Sequence, residues 1–254
     1  MEAKSILSYY QFGTGIRYLQ DASKGHTIHG ESYILDNMRA TINHFDTLGL
    51  QVTRRAAREF ISLGKELSET EKDAKLTAEQ ASKLSLVVTD LRKTLEAEVE
   101  GFEAFLISPK RIDTKKLLEC VEELFSPNVF DEIPEIARYD FEQAGKCIAF
   151  ELPTSAAFHI LRGTESVLRH FYCDQVKQKR GSMMWGPIIV DLRKRTKTKK
   201  HTTLINNLEN IKNSFRNPTQ HPEKIYDIQE AQDLLSLCID VINRMIKVTT
   251  GEAT

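Results

Sequence analysis

The sequence contains little that points to a cofactor, a metal ion or a membrane. It has no glycine-rich phosphate loop and no Gly-x-Ser-x-Gly nucleophile turn. Its cysteines are scattered, and no two of them have the spacing of metal ligands: Cys120, Cys147, Cys173 and Cys238. No apolar run approaches the roughly 20 residues that a membrane-spanning helix needs. We therefore expect a protein that uses no cofactor or metal and does not cross a membrane.

The charge balance limits how the chain could attract nucleic acid. Lys and Arg total 35 against 36 Asp and Glu, which gives a formal net charge of −1. Any attraction for RNA must therefore come from a local basic patch. The first residues lack the apolar segment of a signal peptide, and scattered cysteines are typical of a reducing compartment, so we expect a cytoplasmic protein.

Apolar residues recur at helical spacing along most of the chain, and no segment alternates for long enough to make a convincing strand. This pattern predicts an all-α fold. The N-terminal helices are predicted near 5–22, at 32–47, at about 52–67 and, as a long amphipathic helix opened by a Thr77/Gln80 capping box, at 77–106. The apolar stripe of the long helix needs a partner, which is either the preceding helices of a bundle or another subunit in a coiled coil.

A connector between Pro127 and Pro134 places the predicted domain boundary at about residue 130. Residues 1–130 would then form a helical region for bundle packing, oligomerisation or partner binding, and 131–254 a helical bundle. Further helices are predicted at 114–125, from an Asp140/Gln143 capping pair, at 154–177, at 204–215 after a basic loop, and from an Asp227/Glu230 capping pair.

The strongest chemical signal is the pair Arg216 and His221, separated by four residues near a helix end that Pro218 is predicted to impose. Arginine can clamp a phosphate with two parallel hydrogen bonds, and histidine can transfer protons near neutral pH. RNA carries its own nucleophile, the 2′-hydroxyl, so these two side chains suit RNA cleavage without a metal. Asn217 either orients a phosphate or the imidazole, or is a turn residue before the proline.

The same spacing occurs once more, at Arg39 and His44. There it lies within an uninterrupted amphipathic helix and has no basic loop beside it. We interpret Arg39 and His44 as ordinary helix residues, because spacing without context is weak evidence for a site.

The context of Arg216 resembles the HEPN superfamily of small four-helix domains over about residues 138–247. The segment 215–222 is similar to the family signature, an Arg often followed by a polar residue, with His four to six residues beyond the Arg. The helix 156–169 resembles an earlier family helix that often holds a polar residue facing the site. The resemblance implies an endoribonuclease of the toxin or anti-phage defence type. It would act as a homodimer with two Arg/His pairs across one cleft, and an antitoxin or a defence-system protein is the implied partner.

Further residues are candidates for supporting that site. Arg162, Glu165 and Arg169 are spaced for one helix face, where Glu165 either holds Arg216 or His221 in place or belongs to a surface ladder of ion pairs. Residues 193–200 hold six basic side chains in eight and form either a solvated loop or an RNA-binding patch. That patch comprises Arg193, Lys194, Arg195, Lys197, Lys199 and Lys200. Trp185 either stacks on a base or belongs to the core or an interface.

Two functions of other classes also fit the sequence. One is a non-catalytic member of the HEPN fold that binds nucleotide or RNA. The other is a helical adaptor that binds partners through the long helix at 77–106. The intact pair of Arg216 and His221 favours the enzyme over the first of these alternatives.

Overall fold

The computed structural model describes residues 5–177, 183–195, 201–221 and 224–251. The predicted all-α class is confirmed, since the described residues are mostly helical and form no sheet. An isolated antiparallel bridge joins Thr27 and Lys75. The chain divides into two compact units, 1–105 and 106–254, and each has its own hydrophobic core.

Five helices form the described part of the N-terminal unit: α1 (Ile6–Gln20), α2 (Ile34–Leu48), α3 (Gln51–Ala56), α4 (Arg58–Ser68) and α5 (Ala78–Val99). The predicted single helix at 52–67 is therefore two helices that meet at Ala57. Leu84, Val88 and Leu91 of the α5 stripe are buried in the core of this unit. The stripe thus packs within a bundle, as the first of the two interpretations proposed, and is not available as an adaptor surface.

Helix α5 begins where the sequence predicts and ends earlier. The Thr77 hydroxyl accepts a hydrogen bond from the Gln80 N–H (3.1 Å), and the Gln80 side chain accepts one from the Thr77 N–H (2.9 Å), so the capping box is confirmed. The helix ends at Val99, and the predicted extension to 106 is wrong. Gly101 disfavours a further turn, and Phe105 beyond it is exposed.

The described part of the C-terminal unit starts with α6 (Thr114–Glu119), a 3₁₀ turn (Val121–Leu124), α7 (Val129–Glu132), α8 (Glu135–Ala149) and α9 (Pro153–Val176). It continues with α10 (Trp185–Lys194), α11 (Thr202–Ile211), a π-helical turn (Lys212–Arg216), α12 (Asn217–Thr219) and α13 (Ile228–Thr250). The Asp227/Glu230 capping box that opens α13 is confirmed.

The division between the units differs from the predicted boundary at about 130. Leu117, Val121, Phe125 and Val129 are all buried in the core of the C-terminal unit. The amphipathic segment at 114–125 therefore belongs to the second unit, although two prolines separate it from the helices that follow. The chain divides between Phe105 and Leu106 instead.

The predicted capping role of Asp140 is wrong. Helix α8 begins at Glu135, directly after Pro134, so Asp140 lies inside the helix and is fully buried. A close approach of α9 surrounds it, because a Cβ added at Gly163 would lie 3.2 Å from the Asp140 Cβ. Tertiary packing decides the role of this aspartate, and its spacing to Gln143 does not.

The predicted helix end at Pro218 is also wrong, because the chain stays helical to Thr219. The Asn217 N–H donates to the Lys212 carbonyl, which is the five-residue bond of a π-helix. A proline ring clashes with the carbonyl four residues before it, and the wider π turn directly before Pro218 accommodates that ring. Arg216 therefore ends a π turn within a continuous helical segment.

Trp185 starts helix α10, in a segment where the sequence analysis expected only loop. Its side chain is buried, and the indole N–H donates to the Leu208 carbonyl at 3.2 Å. The interpretation of Trp185 as a core residue is confirmed. The tryptophan ties α10 to α11, the helix that leads into Arg216.

Candidate functional site

Arg216 lies against a carboxylate from the neighbouring helix α9. Its side chain is 26% exposed, and a guanidinium nitrogen lies 3.5 Å from a carboxylate oxygen of Glu165. The other oxygen of Glu165 accepts a hydrogen bond from Arg169 at 2.6 Å. One mostly buried carboxylate near the middle of α9 thus faces two guanidinium groups, and these three side chains together carry a net positive charge.

A surface cavity of about 210 Å³ opens beside Arg216. Its lining comes from the start of α10 and from the π turn and the residue that follows it, namely Met184, Trp185, Gly186, Pro187, Lys212, Arg216 and Asn217. The described lining residues include two cations and a side-chain amide, and none of them is a carboxylate. These groups favour an anion over a cation or an apolar ligand.

His221 is exposed and follows α12 in a bend. Its backbone N–H donates to the Pro218 carbonyl at 2.9 Å, which fixes the direction of the chain after the helix. Within the described residues its imidazole makes no hydrogen bond, and it is not part of the cavity lining. The structure places Asn217 at the cavity, but it does not bring the imidazole of His221 into contact with the Arg216 side chain of the same chain.

A buried hydroxyl network supports the segment between Arg216 and His221. The Thr219 hydroxyl donates to the Phe215 carbonyl at 2.6 Å and lies 2.6 Å from the hydroxyl of Tyr226. The Tyr226 hydroxyl also donates to the Phe215 carbonyl at 3.3 Å. Burial raises the pKa of Tyr226 above its ordinary value, so the phenol stays a hydrogen-bond donor. This network could not be predicted from the sequence, because nothing in residue spacing links Tyr226 after the motif to the Phe215 carbonyl before it.

Lys224 lies beside this network. Its ammonium donates to Glu230 at 2.6 Å and lies 4.6 Å from the centre of the Tyr226 ring. The hydrogen bond to Glu230 raises the pKa of Lys224. The lysine therefore fixes the start of α13 against the tyrosine and is occupied within the chain.

Arg162 belongs to a different cluster from Arg216. It donates twice to Asp140 of α8, at 2.8 and 2.5 Å, and this hydrogen bonding raises the pKa of Arg162. His159 contacts the same carboxylate through Nδ1 at 2.8 Å. Arg162 was expected to face the same site as Glu165. In the structure its guanidinium instead donates to the buried carboxylate of Asp140.

The basic run is only partly within the described residues, since Lys197, Lys199 and Lys200 lie outside them. Arg193 contacts Glu209 at 2.5 Å and Asn206 at 2.8 Å. Arg195 pairs with Asp191 at 2.8 Å, and its hydrogen bond to that carboxylate raises its pKa. Lys194 is exposed. Both described arginines of this run therefore have acidic partners within the chain, which weakens them as contacts for RNA.

The second match to the Arg/His spacing has an ordinary helical environment. Arg39 is exposed on α2, and the His44 ring contacts the Ala40 carbonyl at 2.7 Å. The same ring stacks on Phe12 with the centroids 5.5 Å apart. His44 is thus engaged in local packing, in agreement with its interpretation as a helix residue.

Among the described residues, no group of three or more His, Cys, Asp or Glu side chains could hold a metal ion. No helix in the described part of the chain is long and apolar enough to cross a membrane. Comparison with protein-family models, with curated protein sequences and with solved structures returned no match for this chain.

Proposed function

We propose that this protein is a metal-independent endoribonuclease of the toxin or anti-phage defence type, with Arg216 and His221 as its catalytic residues. The observation that carries the proposal is the position of Arg216. Arg216 lines a cavity together with Lys212 and Asn217, and its guanidinium lies 3.5 Å from a carboxylate oxygen of Glu165. The exposed imidazole of His221 follows within the same segment.

The chemistry requires only these groups and the RNA itself. The 2′-hydroxyl oxygen attacks the adjacent phosphorus while its proton passes to the imidazole of His221. The bond from phosphorus to the 5′-oxygen breaks, and that oxygen takes up a proton. Arg216 stabilises the charge on the non-bridging oxygens through its planar fork of donors. The products are a 2′,3′-cyclic phosphate and a 5′-hydroxyl end.

A homodimer would complete this site. Within one chain the His221 imidazole does not line the cavity beside Arg216. A second copy can place its own histidine opposite that arginine, so that two imidazoles share the removal and delivery of protons. This arrangement corresponds to the paired Arg/His cleft that the HEPN resemblance implies, and it accounts for an imidazole that has no partner among the described residues.

One experiment tests the reaction and its independence from metal. Purified protein is incubated with RNA in EDTA, and the ends of the fragments are identified. We expect cleavage to persist and to leave cyclic phosphate ends, and light scattering at micromolar protein should give the mass of a dimer. Activity that is lost in EDTA and restored by magnesium would contradict the mechanism.

A second function, RNA or nucleotide binding without cleavage, is favoured by the separation of His221 from the cavity in the single chain. It predicts that the protein binds RNA and leaves it intact under all conditions of the same assay. Binding by a chain that is a strict monomer would favour this alternative over the composite site.

A further inference from the structure

Lys212 was not part of the site that the sequence predicts, yet it lines the same cavity as Arg216. The two residues are the first and the last of the π-helical turn. Single π turns inside α-helices are rare and occur frequently at functional sites. Here the turn brings two cations of one helical segment to the same opening.

Two like charges four residues apart on a helix normally repel each other and reduce stability. Glu165 lies near the guanidinium of Arg216. The ammonium of Lys212 has no hydrogen bond or ion pair with any described residue, although the side chain is half-buried. An anionic ligand at this opening would lie close to both cations and would reduce the repulsion between them.

The other wall of the cavity adds to this preference. It consists of the first turn of α10, where the backbone N–H groups of Trp185 and Gly186 carry partial positive charge and Pro187 has no N–H. A Cβ added at Gly186 would lie 4.0 Å from the Lys212 Cδ, so the lysine stem runs along this turn. Among the described residues, neither wall contributes an acidic side chain to the lining.

The size and the aromatic content of the cavity limit what the anion can be. At about 210 Å³ it is smaller than the roughly 300–1,000 Å³ of pockets for drug-sized ligands. Trp185 is only 1% exposed, so it offers no ring face for a base to stack on. A phosphate group fits these limits, whereas a stacked nucleobase does not.

We infer that this cavity binds a backbone phosphate of the RNA through Lys212 and Arg216, and that Lys212 sets affinity without reading sequence. The inference rests on the proposed function for the identity of the ligand as RNA. Lys212 is a binding residue in this inference, because its ammonium would hold the strand at a phosphate while Arg216 and His221 act on the scissile bond. Contacts to phosphate oxygens position a strand and carry no sequence information by themselves.

The test measures binding of a fluorescein-labelled 2′-O-methyl oligonucleotide, which lacks the nucleophile and cannot be cleaved, to the full chain. Lys212→Gln should weaken binding about tenfold for any sequence. It should also reduce the dependence of log affinity on log salt by about 0.7, the value for one phosphate contact on a single strand. Lys212→Arg should retain both the affinity and the salt dependence, since it keeps the charge.

The matched control is Lys247→Gln, at a half-buried lysine in the last turn of α13 that does not line the cavity. It should leave affinity and salt dependence as in the wild type. Wild-type values for Lys212→Gln, or no binding of the oligonucleotide by the wild type, would overturn the inference. A protein that cleaves RNA normally with Lys212→Gln at wild-type affinity would refute this role and leave the nuclease standing. A wild type that binds the oligonucleotide through Lys212 and never cleaves RNA would support this role of Lys212 and contradict the nuclease.

Discussion

Helix α9 contributes to two arginine–carboxylate clusters of opposite character. In the first, Asp140 is fully buried, accepts two hydrogen bonds from Arg162 and contacts His159. In the second, Glu165 receives a short contact from Arg169 and lies 3.5 Å from Arg216, which lines an open cavity. In the first cluster the carboxylate of Asp140 is fully paired, and the cluster joins α8 to α9. In the second, the Arg216 guanidinium makes no hydrogen bond with a described residue, so its donors are available to a ligand.

This comparison separates residues that hold the fold from residues that are available for chemistry. Both clusters contain an arginine that sequence reasoning placed at one site. The difference lies in the partners, because a buried carboxylate must be fully paired, whereas a group that binds a ligand must keep donors unpaired until the ligand arrives. The predictions below test whether Arg162 and Arg216 divide in this way.

The largest expected effect on stability is from Arg162→Ala. It removes both hydrogen bonds from the buried carboxylate of Asp140 and leaves only His159 beside it. We expect a loss of about 2–3 kcal/mol in the free energy of unfolding, because the buried carboxylate loses its guanidinium partner and keeps only the contact with His159 among the described residues. Urea denaturation measures the loss. RNA cleavage per folded molecule should be unchanged. A loss of cleavage with normal stability would contradict the claim that Arg162 stabilises the fold and takes no part in the reaction.

A smaller effect is expected from Tyr226→Phe, which deletes the hydroxyl that supports the segment after Arg216. The loss of the hydroxyl's contacts with the Thr219 hydroxyl and the Phe215 carbonyl should cost about 1 kcal/mol of stability. The pKa of Tyr226 is raised by burial, so the unfolded chain loses the phenolic proton at a lower pH than the folded chain. The stability from this group is therefore present below the ordinary tyrosine pKa of about 10 and is lost as pH rises through the higher folded value.

Denaturation curves at several alkaline pH values check this prediction. The free energy of unfolding of the wild type should fall more steeply above about pH 10 than that of Tyr226→Phe. Tyr10→Phe is the matched control, because Tyr10 is exposed on α1 and should not alter the slope. Identical slopes for the wild type and Tyr226→Phe would show that the network does not hold the phenolic proton.

Short sequence motifs predicted the fold best where the interacting residues are close together in the sequence. Thr77 with Gln80 and Asp227 with Glu230 open helices as predicted, because a capping box needs only residues three apart. Asp140 has the same spacing to Gln143, but its role depends on His159 and Arg162 on another helix. Trp185 likewise stands at the start of a helix that was not predicted, and its indole N–H donates to the Leu208 carbonyl of another helix.

The candidate site shows the same division. Arg216, Asn217 and Glu165 were identified from spacing and chemical type. The structure places Arg216 beside Glu165 near the middle of α9, and it places Asn217 with Arg216 at the cavity. Lys212 was missed, because its place at the cavity depends on the π turn and on α10, and residue spacing predicted neither of them. The sequence could not predict that His221 lies outside the cavity lining, because its position depends on where the chain turns after α12.

The most direct test of the central claim compares the two Arg/His pairs in one RNA cleavage assay. Arg216→Ala and His221→Ala should each reduce the rate by about 10²–10⁴-fold while the helical content stays normal. Arg216→Lys should restore little activity, because an ammonium lacks the planar fork. The double variant Arg39→Ala with His44→Ala, which removes the other pair of equal spacing, should cleave RNA like the wild type. Equal losses from both pairs, or full activity without Arg216 and His221, would contradict the account.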